Sequence, residues 1–252
     1  MKKLGGFIEG LIVLAVGLAM CGLVVADNYW MYLHPKFKWL TLSAGIILML
    51  VGAIATLYNR RPSPIRIAIF IAFGAITLVG YFLPNPTPTA ASGPLVETST
   101  TEQPRLIFEN QEYIKINLGE LTMIGEGELD DRMTGLYVAR GIVKRSPELD
   151  ELGQFVLFRV FMWCCFADAV AVGIRVQYNE QLEGLRDGEW VRVYGKLHQL
   201  PSGQSTPRVR VKGVISKSLN RFHSLIAAKV EEIEPPAIPY MFEFRRTEPY
   251  AY

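Results

Sequence analysis

Residues 7–26 read FIEGLIVLAVGLAMCGLVVA, and Glu9 is the one charged side chain in the run. A helix rises about 1.5 Å per residue, so a run of this length crosses a hydrocarbon layer about 30 Å thick. Two further apolar runs follow, at 39–57 and 67–83, and neither holds a charged residue. Three transmembrane helices are therefore predicted, with Glu9 close enough to the first boundary to reach lipid headgroups.

The charge distribution divides the chain at the same place. Residues 1–83 carry seven basic and two acidic groups, a net +5, whereas the remainder carries 19 basic and 22 acidic groups, a net −3. The overall +2 and the mean hydropathy of +0.21 thus average two different environments. The second part is long enough for one core and lacks the basic footprint that nucleic acid demands.

Orientation is predicted from the short loops. Lys2 and Lys3 precede the first span, and Arg60, Arg61 and Arg66 lie between the second and third. Basic loops stay cytoplasmic, which places the N-terminus inside and everything after Leu83 outside, in a multi-pass inner-membrane arrangement. Val24-Val25-Ala26 ahead of Asp27 resembles a signal-peptide cleavage site, but the apolar stretch is long for a signal, so a retained helix is expected. Gly6 and Gly10 offer one step of close helix packing. No span carries an interior charge or polar stripe, so a solute path within these helices is not evident. An anchor or an assistant to another membrane protein is the expected role.

Residues 84–104, PNPTPTAASGPLVETSTTEQP, are rich in proline, threonine and serine and are expected to form an extended linker. An all-β domain is predicted over 105–234. Strands are expected at Gly135–Lys144, Phe155–Cys165, Val170–Tyr178, Trp190–Leu200, Arg208–Ile215 and Leu225–Ile233 from period-two alternation and β-branched or aromatic enrichment. Ser146-Pro147-Glu148 predicts a short helical turn capped by Ser146 and stopped at Gly153. Gly141, Gly173, Gly195 and Gly213 fall inside strands, where glycine marks bulges and sharp bends. That pattern favours a small closed barrel of OB-like type, with a small sandwich as the alternative. A proline- and aromatic-rich tail, 235–252, follows; it either packs back on the barrel or supplies aromatic anchors to a partner.

Candidate chemistry concentrates in Arg159–Gly173, RVFMWCCFADAVAVG. Cys164 and Cys165 beside Asp168 supply two sulfurs and a carboxylate, a donor set for zinc or another thiophilic metal. His198 and His223 are the histidines of the domain available to complete it. Against this, neighbouring side chains in a regular strand point to opposite faces, and buried cysteine is a common core residue. Glu120, Glu126, Glu128, Asp130 and Asp131 form an acidic stretch able to attract a hard cation, although a solvated loop is the default. No nucleophile–histidine–acid arrangement, HExxH or CxxC motif is present, and no enzyme activity is expected.

The string Cys164-Cys165-x-Ala167-Asp168-Ala169, followed by Gly173 and by Trp190-Val191-x-Val193-x-Gly195, resembles an uncharacterised bacterial family of two-component membrane permease complex subunits. Tyr32-Leu33-His34-Pro35 and Leu83-Pro84 match its short N-terminal spans. The resemblance implies a larger multi-span permease as partner, in addition to the lipid bilayer, and implies no catalysis. The chain departs from the family pattern at Ala171, where proline is frequent, and at Trp163, where a small polar residue is usual. Three roles follow as expectations: a permease accessory subunit, a tethered metal-binding or thiol-redox module, and an external carbohydrate- or peptide-binding barrel.

Overall fold

The computed structural model describes residues 2–57, 104–125, 135–178, 184–201, 211, 214 and 216–252, in two compact units, 1–85 and 86–252. The predicted third span (67–83), nearly all of the linker, and Glu126, Glu128, Asp130, Asp131 and Gly213 lie outside the described residues.

In the first unit, α1 (Lys2–Val25) and α2 (Lys38–Leu57) form an antiparallel pair joined through two short 3-10 turns. Both are long and apolar enough to cross a membrane: Phe7–Val25 has a mean hydropathy of 2.5 and Pro35–Leu57 of 2.3. Their contact is a seam of backbone against backbone. A methyl added at Gly17 would sit 2.6 Å from the Gly45 carbonyl oxygen, and one at Gly52 would sit 2.5 Å from the Leu14 nitrogen. Gly10 and Gly17, and Gly45 and Gly52, are each spaced by seven residues, about two helical turns, so each pair lies on one face. Of the expected Gly6–Gly10 step, Gly10 lies at this seam, against Thr56 and the Gly52 carbonyl, and the surroundings of Gly6 lie outside what is described. Cys21 Sγ packs at the same seam, against Gly45. Leu11, Leu18, Ile47, Leu50 and Ile54 are exposed instead. At the hairpin end the Tyr29 hydroxyl meets Thr41 Oγ1 at 2.8 Å, which satisfies both buried hydroxyls.

The second unit is a seven-stranded sheet, five strands of which close into a barrel. The strands are β1 (Arg105–Phe108), β2 (Gln111–Lys115), β3 (Leu136–Lys144), β4 (Gln154–Phe161), β5 (Val170–Gln177), β6 (Trp190–Gln199) and β7 (Ser216–Glu232). Around the barrel the order is β3-β4-β5-β7-β6 and back to β3, with β5 and β7 parallel and the other neighbours antiparallel. Closure rests on β3–β6, paired from Leu136↔Lys196 to Ile142↔Trp190. The sandwich alternative is thereby replaced by a closed barrel. β1 and β2 form an antiparallel hairpin, and β2 joins β3 in parallel over Ile114 and Lys115, on the edge opposite β6.

Alternate residues fill the interior: Tyr137, Ala139 and Val143 from β3, Phe155 and Leu157 from β4, Val172, Ile174 and Val176 from β5. Helix α3 (Leu118–Gly125) adds Leu118, Leu121 and Ile124 to the same core, all fully buried. β4 reads as a continuous apolar run because both faces are covered. Val156 and Phe158 turn outward beneath Trp190, Ile142 and Leu149.

Several boundaries differ from the sequence expectations. β4 ends at Phe161 rather than Cys165, and β7 starts at Ser216, well before Leu225. Arg208–Ile215 is described only at Val211 and Val214, and neither is in a strand. The short helix α4 (Pro147–Asp150) forms and Gly153 ends it at φ +64°. Its Ser146 caps through the backbone carbonyl, which accepts from Leu149 and Asp150, while the hydroxyl is buried without a partner. The bulge expectation holds at two glycines. The β5–β7 register shifts just after Gly173, and the β6–β7 register shifts at Gly195.

The tail folds back on the barrel. Met241 brackets the end of β4, its N–H donating to the Val160 carbonyl and its carbonyl accepting from Met162. Phe244 stacks on Phe161 at 4.2 Å between centroids. Arg159, buried in the barrel, donates to the carbonyls of Pro239 (3.2 Å) and Tyr240 (3.4 Å) rather than to a carboxylate. Glu120 is not part of a solvated acidic loop. It is buried in α3, and its carboxylate accepts backbone N–H groups of Arg245 (2.6 Å) and Ala251 (3.1 Å). The ion pairs from Arg105 to Glu112 and Glu248 are exposed and screened, so the buried contacts hold the tail.

Two outcomes follow. A methyl at Gly195 would meet the Ile226 carbonyl oxygen at 2.4 Å, a backbone atom that cannot swing aside. Gly195→Ala should cost about 1–3 kcal/mol in thermal or urea denaturation, while Gly184→Ala, with open space around the new methyl, should be neutral. Burial raises the Glu120 carboxyl to about 7 despite its N–H donors. Its stabilising contribution is therefore full below the ordinary carboxylate range and lost as pH rises through about 7. The melting temperature should fall between pH 5 and pH 8, and Glu120→Gln should flatten that slope.

Candidate functional site

The chain leaves β4 at Phe161 and re-enters the sheet at Val170, so residues 162–169 form the β4–β5 connection. Trp163 and Cys164 bend the backbone, Cys165 is extended at φ −154°, and Phe166–Asp168 make one 3-10 turn. The Asp168 N–H donates to the Cys165 carbonyl at 3.0 Å, and the Ala169 N–H donates to that of Phe166 at 3.2 Å.

The Asp168 carboxylate organises this turn. Its Oδ1 accepts the Trp163 N–H at 3.0 Å, and its Oδ2 accepts the N–H groups of Cys164 at 2.7 Å and Cys165 at 3.4 Å. Three consecutive amides wrapped round one carboxylate draw the preceding residues into a tight curve. Within it the Cys164 and Cys165 sulfurs lie 3.5 Å apart. The opposite-face geometry of a regular strand does not apply, because both cysteines stand beyond the end of β4.

One Sγ from each cysteine and one Asp168 oxygen all lie within 4.8 Å of one another. Among the described residues this is the one cluster of three or more histidine, cysteine or acidic side chains close enough to share an ion. All three residues are half-buried, and both thiols are free. Neither His198 nor His223 belongs to the cluster. They sit on the β6–β7 ladder, where Gln199 is opposite His223 and His198 is opposite Ser224.

Electrostatics follow from the same contacts. The hydrogen bond to Asp168, then that to Cys165, pushes the Cys164 thiol up to about 12, because its thiolate would face a carboxylate. Burial works to raise the Asp168 carboxyl. The Cys164 thiol and the N–H groups of Cys164, Trp163 and Cys165 outweigh that and hold it below the usual range. The resting turn therefore holds an ionised carboxylate beside a protonated Cys164 thiol.

The other residues singled out with the cysteines are placed elsewhere or only frame the turn. Ala167 is exposed on the 3-10 turn, and Ala169 is buried where the chain rejoins the sheet. Gly173 packs beneath Leu219 on β5. Trp190 is buried on the barrel's outer face with Ala171 and Phe158, and Gly195 abuts the β7 backbone. Gly173, Trp190 and Gly195 thus shape the barrel, and Cys164, Cys165 and Asp168 alone converge. Sequence reasoning missed the Glu120 carboxylate as the buried anchor of the tail. Its one signal is an acid set among apolar residues, LGELTMIG.

Asp168→Asn removes the negative charge that suppresses the Cys164 thiolate. Alkylation of Cys164 by iodoacetamide at pH 8 should be slow in the native chain and roughly tenfold faster in the variant. Tryptic mass spectrometry of the labelled peptide reads both rates.

No curated protein matches the chain. A family model described as the DUF1980 C-terminal domain matches residues 96–222. That span contains Cys164, Cys165, Asp168, Gly173, Trp190 and Gly195 and amounts to half of the 252 residues. The chain belongs to the DUF1980 C-terminal domain family.

Proposed function

We propose that this chain is a non-enzymatic accessory subunit of a two-component membrane permease complex, anchored by its N-terminal helices. In this reading its OB-like barrel stands on the extracytoplasmic side and assists a larger multi-span partner. The observation that carries the proposal is the form of the α1–α2 hairpin. Its two apolar helices are joined through glycines, Leu, Ile and Val point outward, and the atoms that meet Gly10, Gly17, Gly45 and Gly52 across the seam belong to uncharged residues. Such a pair has a surface suited to lipid or to a neighbouring membrane helix and offers no polar lining for a solute. The strand order, with β5 and β7 parallel and β3 closing on β6, supports the OB-like version of the barrel. The resemblance of the Cys-Cys-x-Ala-Asp-Ala string supports the permease partner, and the basic loops support the orientation.

Isolation of the epitope-tagged chain from native membranes in mild detergent should yield a multi-span protein in stoichiometric amount. Repeated recovery of the chain alone would count against the complex. Protease added to right-side-out vesicles should degrade the barrel, and its survival until the vesicles are opened would overturn the orientation.

A further inference from the structure

We propose that the β4–β5 turn is a zinc site in which Cys164 Sγ, Cys165 Sγ and an Asp168 carboxylate oxygen are three ligands and the fourth position is open to solvent. This assignment is independent of the permease reading, because it rests on the turn alone.

The geometry selects the ion. Zinc–sulfur bonds of about 2.3 Å at a tetrahedral angle place two sulfurs about 3.8 Å apart. Here they are 3.5 Å apart, so a few tenths of an ångström of side-chain rotation suffices. A linear two-sulfur ion would instead need the sulfurs on opposite sides, separated by twice a metal–sulfur bond. The third donor argues the same way. A carboxylate is a hard ligand that suits zinc beside thiolates but adds little to copper(I).

The support around the ligands is already in place. Metal sites depend on outer hydrogen bonds that orient the ligands. The Trp163, Cys164 and Cys165 amides fix the Asp168 carboxylate, and Asp168 in turn sets the curve that brings the sulfurs together. Oδ1 accepts only the Trp163 N–H among these amides, so its second lone pair remains able to bind an ion.

The open position has a chemical consequence. Structural zinc sites are closed by four protein ligands, whereas sites with three keep a place for water or an incoming donor. Among the described residues no further histidine, cysteine or acid is near enough to close this one, and the three residues are half-exposed. The site is therefore suited to taking up and releasing zinc, or to sharing it with a donor from another molecule, rather than to stapling the fold.

The full chain, purified in detergent, fully reduced without oxygen and dialysed against zinc, should retain a stoichiometric amount by elemental analysis. Cobalt(II) in place of zinc should give a tetrahedral visible spectrum with thiolate-to-cobalt charge transfer. Cys164→Ser and Cys165→Ser should each weaken that charge transfer, and the double variant should abolish it. All three should keep the melting temperature of the metal-free native chain, since serine preserves the size of the side chain. Zinc retained equally by the double variant, or a cobalt spectrum without thiolate character, would overturn the site. So would a fully reduced native chain that takes up no metal, whatever the oxidation state in which it was isolated.

Discussion

The pairing of β3 with β6 is the constraint on which the barrel depends. Without it the sheet would be an open ribbon, with Tyr137, Ala139 and Val143 on one side facing no opposite wall. With it, alternate residues of five strands converge on one interior, and each fully buried aliphatic or aromatic side chain contributes about 1.5–3 kcal/mol. Closing so few strands requires tight coiling, and coiling requires bulges. Gly195 supplies one on β6 because the Ile226 carbonyl oxygen occupies the space a side chain would take. The end of β4 is then held by the tail through Met241 and Phe244. The cysteine turn springs from that same strand end.

The parts of this fold legible in the sequence were those with a strong strand signal. β3, β5 and β6 are rich in β-branched and aromatic residues in interrupted alternation, and the glycines within β5 and β6 mark their bulges. β1 and β2 were not anticipated because they are peripheral: Arg105, Ile107, Gln111 and Glu112 are exposed, and only two residues of β2 pair with β3. α3 escaped because eight residues are too few to display a helical stripe, and it is buried nearly all round. The first half of β7, SKSLNRFHS, reads as a polar loop. It pairs with β5 only through a shifted register that lets Asn220 turn its carbonyl onto the N–H groups of Phe222 and His223.

The candidate site was legible in its residue types and illegible in its geometry. Two adjacent cysteines and an aspartate three residues on name a donor set, yet strand logic sets the sulfurs apart. What reverses that logic is a turn whose curvature comes from side-chain-to-backbone bonds, and such bonds leave no periodic trace. The histidines, equally conspicuous as residue types, are carried by the β6–β7 ladder and join no cluster. The DUF1980 C-terminal domain match spans the turn and most of the barrel.

The packed interior limits where this domain can do its work. Lipocalin-type barrels hold cargo in a hollow centre, but here Phe155, Leu157, Ile174 and their neighbours occupy the centre, with Leu121 and Ile124 of α3 added to it. No guest molecule can lodge inside such a lumen without unfolding it. Whatever this module recognises must be met on its rim and loops, and partners there are held at a surface rather than swallowed.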